Sequence, residues 1–300
     1  MRPRLVGLGE VLWDLLPGGR KLGGAPANFA YHAAALGADS HVVSRVGRDA
    51  AGHDLLQRLV ELGLPTDGIE TDPTAPTGTV GVEMGADGHP VYTIHENVAW
   101  DRLSGETVGR RAVASADAVC VGTLAQRGDV SRRTIRGLLS STKPGALRVF
   151  DVNLRQHFHS KEVIEETLGI TNILKVNESE LPRIADLFDI NGDDRVRIHQ
   201  LALRFDLRAV AFTRGERGSL IYSEGRWSEL PGKPIRIVDT VGAGDSFTAA
   251  MTLGLLAGWD LDEVHVMAAS VATHVCSQPG ATPPMPSEFR RRFESGFRIA

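Results

Sequence analysis

The chain has 300 residues, with 33 Lys and Arg against 37 Asp and Glu, a formal net charge of −4 at pH 7 and 42% hydrophobic residues. That balance leaves no electrostatic footprint for nucleic acid or for a membrane surface, and the length suits a single α/β domain over residues 1–300. Cys120 and Cys276 lie in apolar contexts without disulfide or metal spacing, so both are expected as buried thiols. No apolar run reaches membrane-spanning length. Met1-Arg2-Pro3-Arg4 passes at once into an apolar run, as expected of a cytoplasmic chain without a leader.

Strand-like runs fall at residues 4–9, 41–46, 118–122, 147–152, 173–176 and 209–213. Helical periodicity lies between and after them, at 25–36, 50–62, 130–139, 162–168, 178–188 and 195–205, then at 246–257 and 263–276. In the last helix Val264, Met267, Val271 and Val275 recur at helical spacing and should face the core. Alternation of this kind predicts right-handed βαβ units and a three-layer α/β/α fold around a mostly parallel sheet. Residues 77–94 break the alternation, because two β-like runs flank the turn-rich Gly85-Ala86-Asp87-Gly88-His89-Pro90. With the extended stretch after the first strand, segments at about 10–17 and 77–100 are expected to form a small β lid, too small to own a core.

Taken in order, the motifs first exclude two nucleotide folds. Gly7-Leu8-Gly9 follows the first strand, but Leu12 stands where a dinucleotide fingerprint needs its third glycine, and no P-loop pattern occurs. Gly23-Gly24-Ala25-Pro26-Ala27-Asn28 is a glycine turn entering a helix with Pro in its first turn. Asn28 there and Asp14 upstream are a capping amide and a turn aspartate, or a pair that grips vicinal hydroxyls of a sugar. Asp151-Val152-Asn153-Leu154-Arg155 ends a strand with three polar groups that could enter one cleft. His157 and His159 follow without further metal ligands and read as surface histidines. Asn177 and Glu180, at i and i+3, form a capping box or a site holding Mg²⁺ through water beside substrate phosphates. Thr213-Arg214-Gly215-Glu216-Arg217-Gly218 is a plain β-turn, or a loop that lets a nucleotide approach the backbone.

Near the C-terminal end comes Asp239-Thr240-Val241-Gly242-Ala243-Gly244-Asp245. A glycine turn before a helix offers free N–H groups and the positive end of the dipole to an anion. Asp245 on that turn is either a helix cap or a base that accepts a proton from a nucleophile attacking a phosphoryl group. Asn28, Asp151, Asn177, Thr213 and Asp245 all follow strands or open helices, which places them on one rim.

These residues resemble the ribokinase-like (PfkB) carbohydrate kinases over nearly the whole chain, from Gly9-Glu10 to Gly280-Ala281. The stretch 239–245 is similar to the family's C-terminal signature, and Gly23 to Asn28 with Val46-Gly47-Arg48-Asp49-Ala50-Ala51-Gly52 to its N-terminal one. The resemblance implies that Asp245 deprotonates the acceptor hydroxyl and that Gly242, Ala243 and Gly244 form an anion hole. It implies Asp14, Gly24, Asn28 and Arg155 for the sugar, Asn177, Thr213, Gly215 and Gly218 for ATP, Glu180 for Mg²⁺ and Asp239 for a monovalent cation such as K⁺. The lid of relatives often forms a homodimer contact as well. Met267 stands near the adenine side, where relatives often carry Asn. The Gly-Gly-Ala-Pro-Ala-Asn motif is more like fructokinases than ribokinases, which implies transfer of the γ-phosphoryl of ATP to a primary hydroxyl of a sugar, fructose first. Ribokinase, nucleoside kinase and 2-keto-3-deoxygluconate kinase remain open, and Trp13 and Trp100 could serve several acceptors. A sugar sensor on a dead kinase frame would have eroded Asp245, Gly244 or Glu180, and none is eroded.

Overall fold

The computed structural model describes residues 2–16, 18–84, 90–105 and 107–297. Its strands are β1 (Arg4–Leu8), β2 (Leu12–Leu16), β3 (Gly19–Gly23), β4 (Asp39–Gly47), β5 (Ile69–Asp72), β6 (Thr79–Met84), β7 (Pro90–Ile94), β8 (Ala118–Val121), β9 (Leu147–Asp151), β10 (Ile173–Asn177), β11 (Ala209–Thr213), β12 (Ser219–Ser223) and β13 (Arg226–Leu230). Its helices are α1 (Ala25–Ala35), α2 (Ala50–Glu61), α3 (Thr107–Ser115), α4 (Asp129–Ser140), α5 (Lys161–Leu168), α6 (Glu180–Leu187), α7 (Asp194–Arg204), α8 (Ala243–Leu256), α9 (Leu261–Cys276) and α10 (Ser287–Gly296).

Nine strands form the main sheet in the order β13-β12-β11-β10-β9-β8-β1-β4-β5. The run from β11 to β5 is parallel, and β12 and β13 close one edge as an antiparallel meander. Successive side chains leave a strand on opposite faces, and β10 obeys this. Leu174 and Val176 pack with the layer that includes α4 to α7, whereas Ile173 packs with α8 and α9. Helices therefore cover both faces, giving the three layers expected of a buried parallel sheet. Val264, Val271 and Val275 are buried as expected, with Met267 half-buried against the same cluster.

A second sheet of order β3-β2-β6-β7 stands apart from the first. Within it β2 pairs in parallel with β6, while β2–β3 and β6–β7 are antiparallel. The expected lid segments include residues 17 and 85–89, which lie outside the described residues.

The elements absent from the sequence reading have weak patterns. The β12–β13 turn is Glu224-Gly225, both at positive φ (48° and 84°), a left-handed two-residue turn in which glutamate is unusual. Helix α10 is rich in arginine and buries Phe293 alone, stacked on Trp259 at 4.8 Å. Helix α8 is the opposite case, with every residue from Ser246 to Gly254 buried. Such a helix runs through the core of its layer, which makes its first turn a rigid platform. No helix of the described residues is long and apolar enough to cross a membrane.

Candidate active site

The platform's open end is the Gly-Ala-Gly turn. Gly242 takes φ 78° in the left-handed region, and a Cβ there would come within 2.4 Å of Ala281 O, so only glycine fits. The first helical bond of α8 runs from Ser246 N–H to Gly242 O, and Ala243 N–H reaches Thr240 O at 3.3 Å. Among the described residues the N–H groups of Gly244 and Asp245 have no such partner, which leaves them as donors at the helix start. Asp245 does not cap the helix, since Gly242 is the cap. Instead its Oδ2 accepts from Asn28 Nδ2 at 2.9 Å.

Asn28 arrives on α1. Gly24 opens that helix at φ 107°, with Pro26 in the first turn, and a Cβ on Gly24 would lie 2.5 Å from Glu10 O. This close approach sets α1 against the segment leaving β1. Gly7 serves the same contact, for a Cβ there would strike Pro26 O at 2.0 Å. Gly7 within β1 and Gly9 just after it thus serve the packing of α1 and not a dinucleotide. Asn28 is buried at 4% exposure, and its Oδ1 has no partner among the described residues. Asp14, on β2, is half-buried beside Gly23, where an added Cβ would meet Asp14 Oδ2 at 2.4 Å.

Desolvation governs the carboxyl groups. Burial, reinforced by the Asp151 charge, raises the Asp245 pKa to about 6, while Asn28, Lys175 and Arg155 oppose the rise. Burial raises Asp14 to about 6 against Arg155 and Lys21. Burial also raises Glu10 to about 7 against its own backbone N–H, Arg155 and the Ala25 N–H, and the Asp245 charge adds to the rise. Arg155 is exposed and acts on all of these carboxyls, so it overlooks the same cleft from the β9 side.

On the other side, Asn177 ends β10 and is the Cα partner of Thr213 at the end of β11. Here the two side chains bond reciprocally, Asn177 Oδ1 accepting from Glu180 N–H at 3.1 Å and Glu180 Oε2 from Asn177 N–H at 2.8 Å, although the cap of α6 itself is Ser179. Glu180 Oε1 takes Leu154 N–H at 3.0 Å, so this buried carboxylate bolts two strand ends together. Each oxygen keeps a second lone pair, which suits an outer-sphere contact to hydrated Mg²⁺. Gly215 and Gly218 bound a single 3₁₀ turn, Gly215–Arg217, at φ 55° and 87°. A Cβ on Gly218 would strike Leu230 O at 2.0 Å. Asp239 spends its oxygens on Val241 N–H and Gly280 N–H, both at 3.0 Å, tying the two loops together. No cluster of three or more His, Cys, Asp or Glu side chains poised for a metal occurs among the described residues.

Several expectations need correction. Asp151 does not enter the open cleft: it is 3% exposed, with its oxygens on Lys175 Nζ and Thr248 Oγ1. Trp13 and Trp100 are core residues at 6% and 1% exposure, so neither lines an acceptor pocket. Trp13 donates to Ala51 O, and Trp100 lies under the Arg127 guanidinium. Cys120 is buried but Cys276 only half so. Lys175 and Glu10 were missed, although a lysine inside the buried strand Ile173-Leu174-Lys175-Val176 is a signal, since lysine is almost never buried unpaired.

The pfkB family carbohydrate kinase model matches residues 18–288. A fructokinase of Klebsiella pneumoniae is 30% identical, covering 91% of each chain. A fructokinase of Salmonella typhimurium is 29% identical over 86% of each chain. Among solved structures, a sugar kinase of Pyrococcus horikoshii superposes with TM-score 0.83 at 26% identity over 99% of both chains, and the same protein has been solved in complex with ATP. With its two helix starts meeting at Asp245 and Asn28, this chain belongs to the pfkB family of carbohydrate kinases.

Proposed function

We propose that the protein is a cytoplasmic fructokinase that transfers the γ-phosphoryl of ATP to a primary hydroxyl of its sugar. One observation carries the reading: the bond from Asn28 to Asp245 joins the helix start expected to hold the sugar to the helix start expected to hold the phosphoryl group. Kinship to fructokinases supports the acceptor, and the ATP complex of the Pyrococcus horikoshii sugar kinase supports the donor.

Phosphoryl transfer asks a protein mainly for positioning and charge stabilisation. Asp14, Gly24, Asn28 and Arg155 hold the sugar, with the orphaned Asn28 Oδ1 ready to accept from one of its hydroxyls. Asn177, Thr213, Gly215 and Gly218 line the nucleotide. Asp245 takes the acceptor's proton as the hydroxyl oxygen bonds to the γ-phosphorus and the bond to the β-phosphate oxygen breaks. The turn of Gly242, Ala243 and Gly244 stabilises charge on the transferring group through its backbone N–H donors. Mg²⁺, held through water by Glu180, would neutralise phosphate charge. The four-stranded sheet acts as the lid, excluding water that would compete as acceptor.

The test is coupled ADP release with ATP and Mg²⁺ across fructose, ribose, 2-keto-3-deoxygluconate, tagatose and nucleosides. Fructose should give the highest kcat/KM; a higher value on any other acceptor moves the assignment within the family. No ADP release above background on any of them would leave a non-catalytic sugar binder.

A further inference from the structure

Against the glycine turn that opens α8 lies a buried charge to which the transfer chemistry assigns no role. Lys175 is 6% exposed, and its Nζ donates to Asp151 Oδ1 at 3.0 Å. Asp151 Oδ2 accepts in turn from Thr248 Oγ1 at 2.8 Å, and Thr248 lies three residues, just under a full turn, beyond Asp245 on α8. The pleat explains the arrangement, because Lys175 and Asp151 are Cα partners on neighbouring strands and both face α8. A Cβ on Gly244 would sit 2.9 Å from Lys175 Nζ, so the ammonium backs directly onto the turn. A buried ion pair is a poor way to gain stability, since apolar residues of similar volume often do as well. A role for the charge itself accounts for its presence.

We propose that Lys175 is a positioning residue of the phosphoryl-transfer site, a fixed positive charge behind Gly244 that strengthens the anion hole and, through Asp151 and Thr248, sets how α8 presents Asp245. The inference rests on Asp245 being the base. Asp151 from β9, Glu180 from α6 and Asp245 from α8 face the ammonium. Asp245 also meets the charges of Asp151, Arg155 and Glu10, and the Cys120 thiol lies near Asp151 and Asp245. In that company Lys175 favours the ionised form of Asp245, so its loss should let Asp245 keep a proton to higher pH.

The experiment compares K175M, which keeps length without charge, with K175R, which keeps charge, in coupled ADP release across pH. Removing one oxyanion-hole donor costs ~10²–10³ in turnover, and a charge acting through the hole should cost K175M at least ~10-fold in kcat. The fructose KM should stay within about twofold, the acid limb of kcat should move to higher pH, and K175R should recover part of the rate. A folded K175M with wild-type kcat and acid limb overturns the proposal. Should K175M not fold, D151N/K175M removes the unpaired carboxylate with the ammonium; kcat should remain at least ~10-fold low, and a wild-type value overturns the claim. A D245N control separates the two layers of inference. Wild-type turnover in D245N removes the base assignment itself, whereas an inactive D245N beside a normal K175M removes only the role of Lys175.

Discussion

Asn28 Nδ2 donates to Asp245 Oδ2 at 2.9 Å, across 217 positions of sequence. The bond joins the first turns of α1 and α8, so the positive ends of two helix dipoles converge on one carboxylate. Asp245 is oriented by an amide donor and backed by Lys175, and its raised pKa, about 6, lies close to the range useful for proton abstraction.

If Asp245 is the proton acceptor, D245N removes the base but keeps the shape and one acceptor for Asn28. Turnover should fall at least ~10²-fold, the usual contribution of a positioned general base. Sugar binding by calorimetry should change little. Turnover near wild type in D245N would show that the proton leaves by another route.

Much of this site was legible because it uses backbone chemistry that glycine, proline and helix starts announce. Six of the main-sheet strands and the turn at 242–244 follow from alternation and glycine placement. The Asn28–Asp245 bond did not, since no local rule ties positions so far apart. Nor did the fate of Asp151, because a polar residue at a strand end can face either layer, and only its cross-strand partner Lys175 settles the matter. The Trp13 and Trp100 readings failed for a related reason: aromatic rings suit a sugar pocket and a core equally, and burial is a tertiary property.

G242A tests the turn itself. The residue sits at φ 78°, and an added Cβ would lie 2.4 Å from Ala281 O. Strain of this kind costs about 1–3 kcal/mol, and relief requires the loop after Gly280 to move. Denaturation should show that loss together with a drop in kcat larger than any change in the fructose KM. A stable, fully active G242A would mean that the turn is not built as described.

E180Q separates the structural role of one side chain from the metal role proposed for it. Both Glu180 oxygens accept backbone N–H groups, from Leu154 and Asn177. The amide can serve only one of them, so stability should fall by about 1 kcal/mol. If Glu180 also holds Mg²⁺ through water, as proposed, its loss should raise the Mg²⁺ concentration for half-maximal rate ~10-fold or more. A Mg²⁺ titration unchanged in E180Q, with the stability loss present, leaves Glu180 as a bolt alone.

Acid and base should act oppositely on rate and on stability. If Asp245 is the proton acceptor, turnover needs it ionised, so kcat/KM should fall as pH drops through about 6. Stability runs the other way at Glu10, whose folded pKa of about 7 lies above the ordinary 4.5. Its protonated form is favoured by folding, so its stabilising contribution is complete below pH 4.5 and is lost as pH rises through 7. Glu10 is 3% exposed and its Oε2 has no partner among the described residues, so the backbone N–H groups of Glu10 and Ala25 only partly offset the cost of ionising it. E10Q should therefore match wild type near pH 4 and exceed it by on the order of 2–3 kcal/mol at pH 8. Denaturant titrations at the two pH values check this. An E10Q gain that is equal at both, or absent at pH 8, would show that Glu10 is not held protonated by its burial.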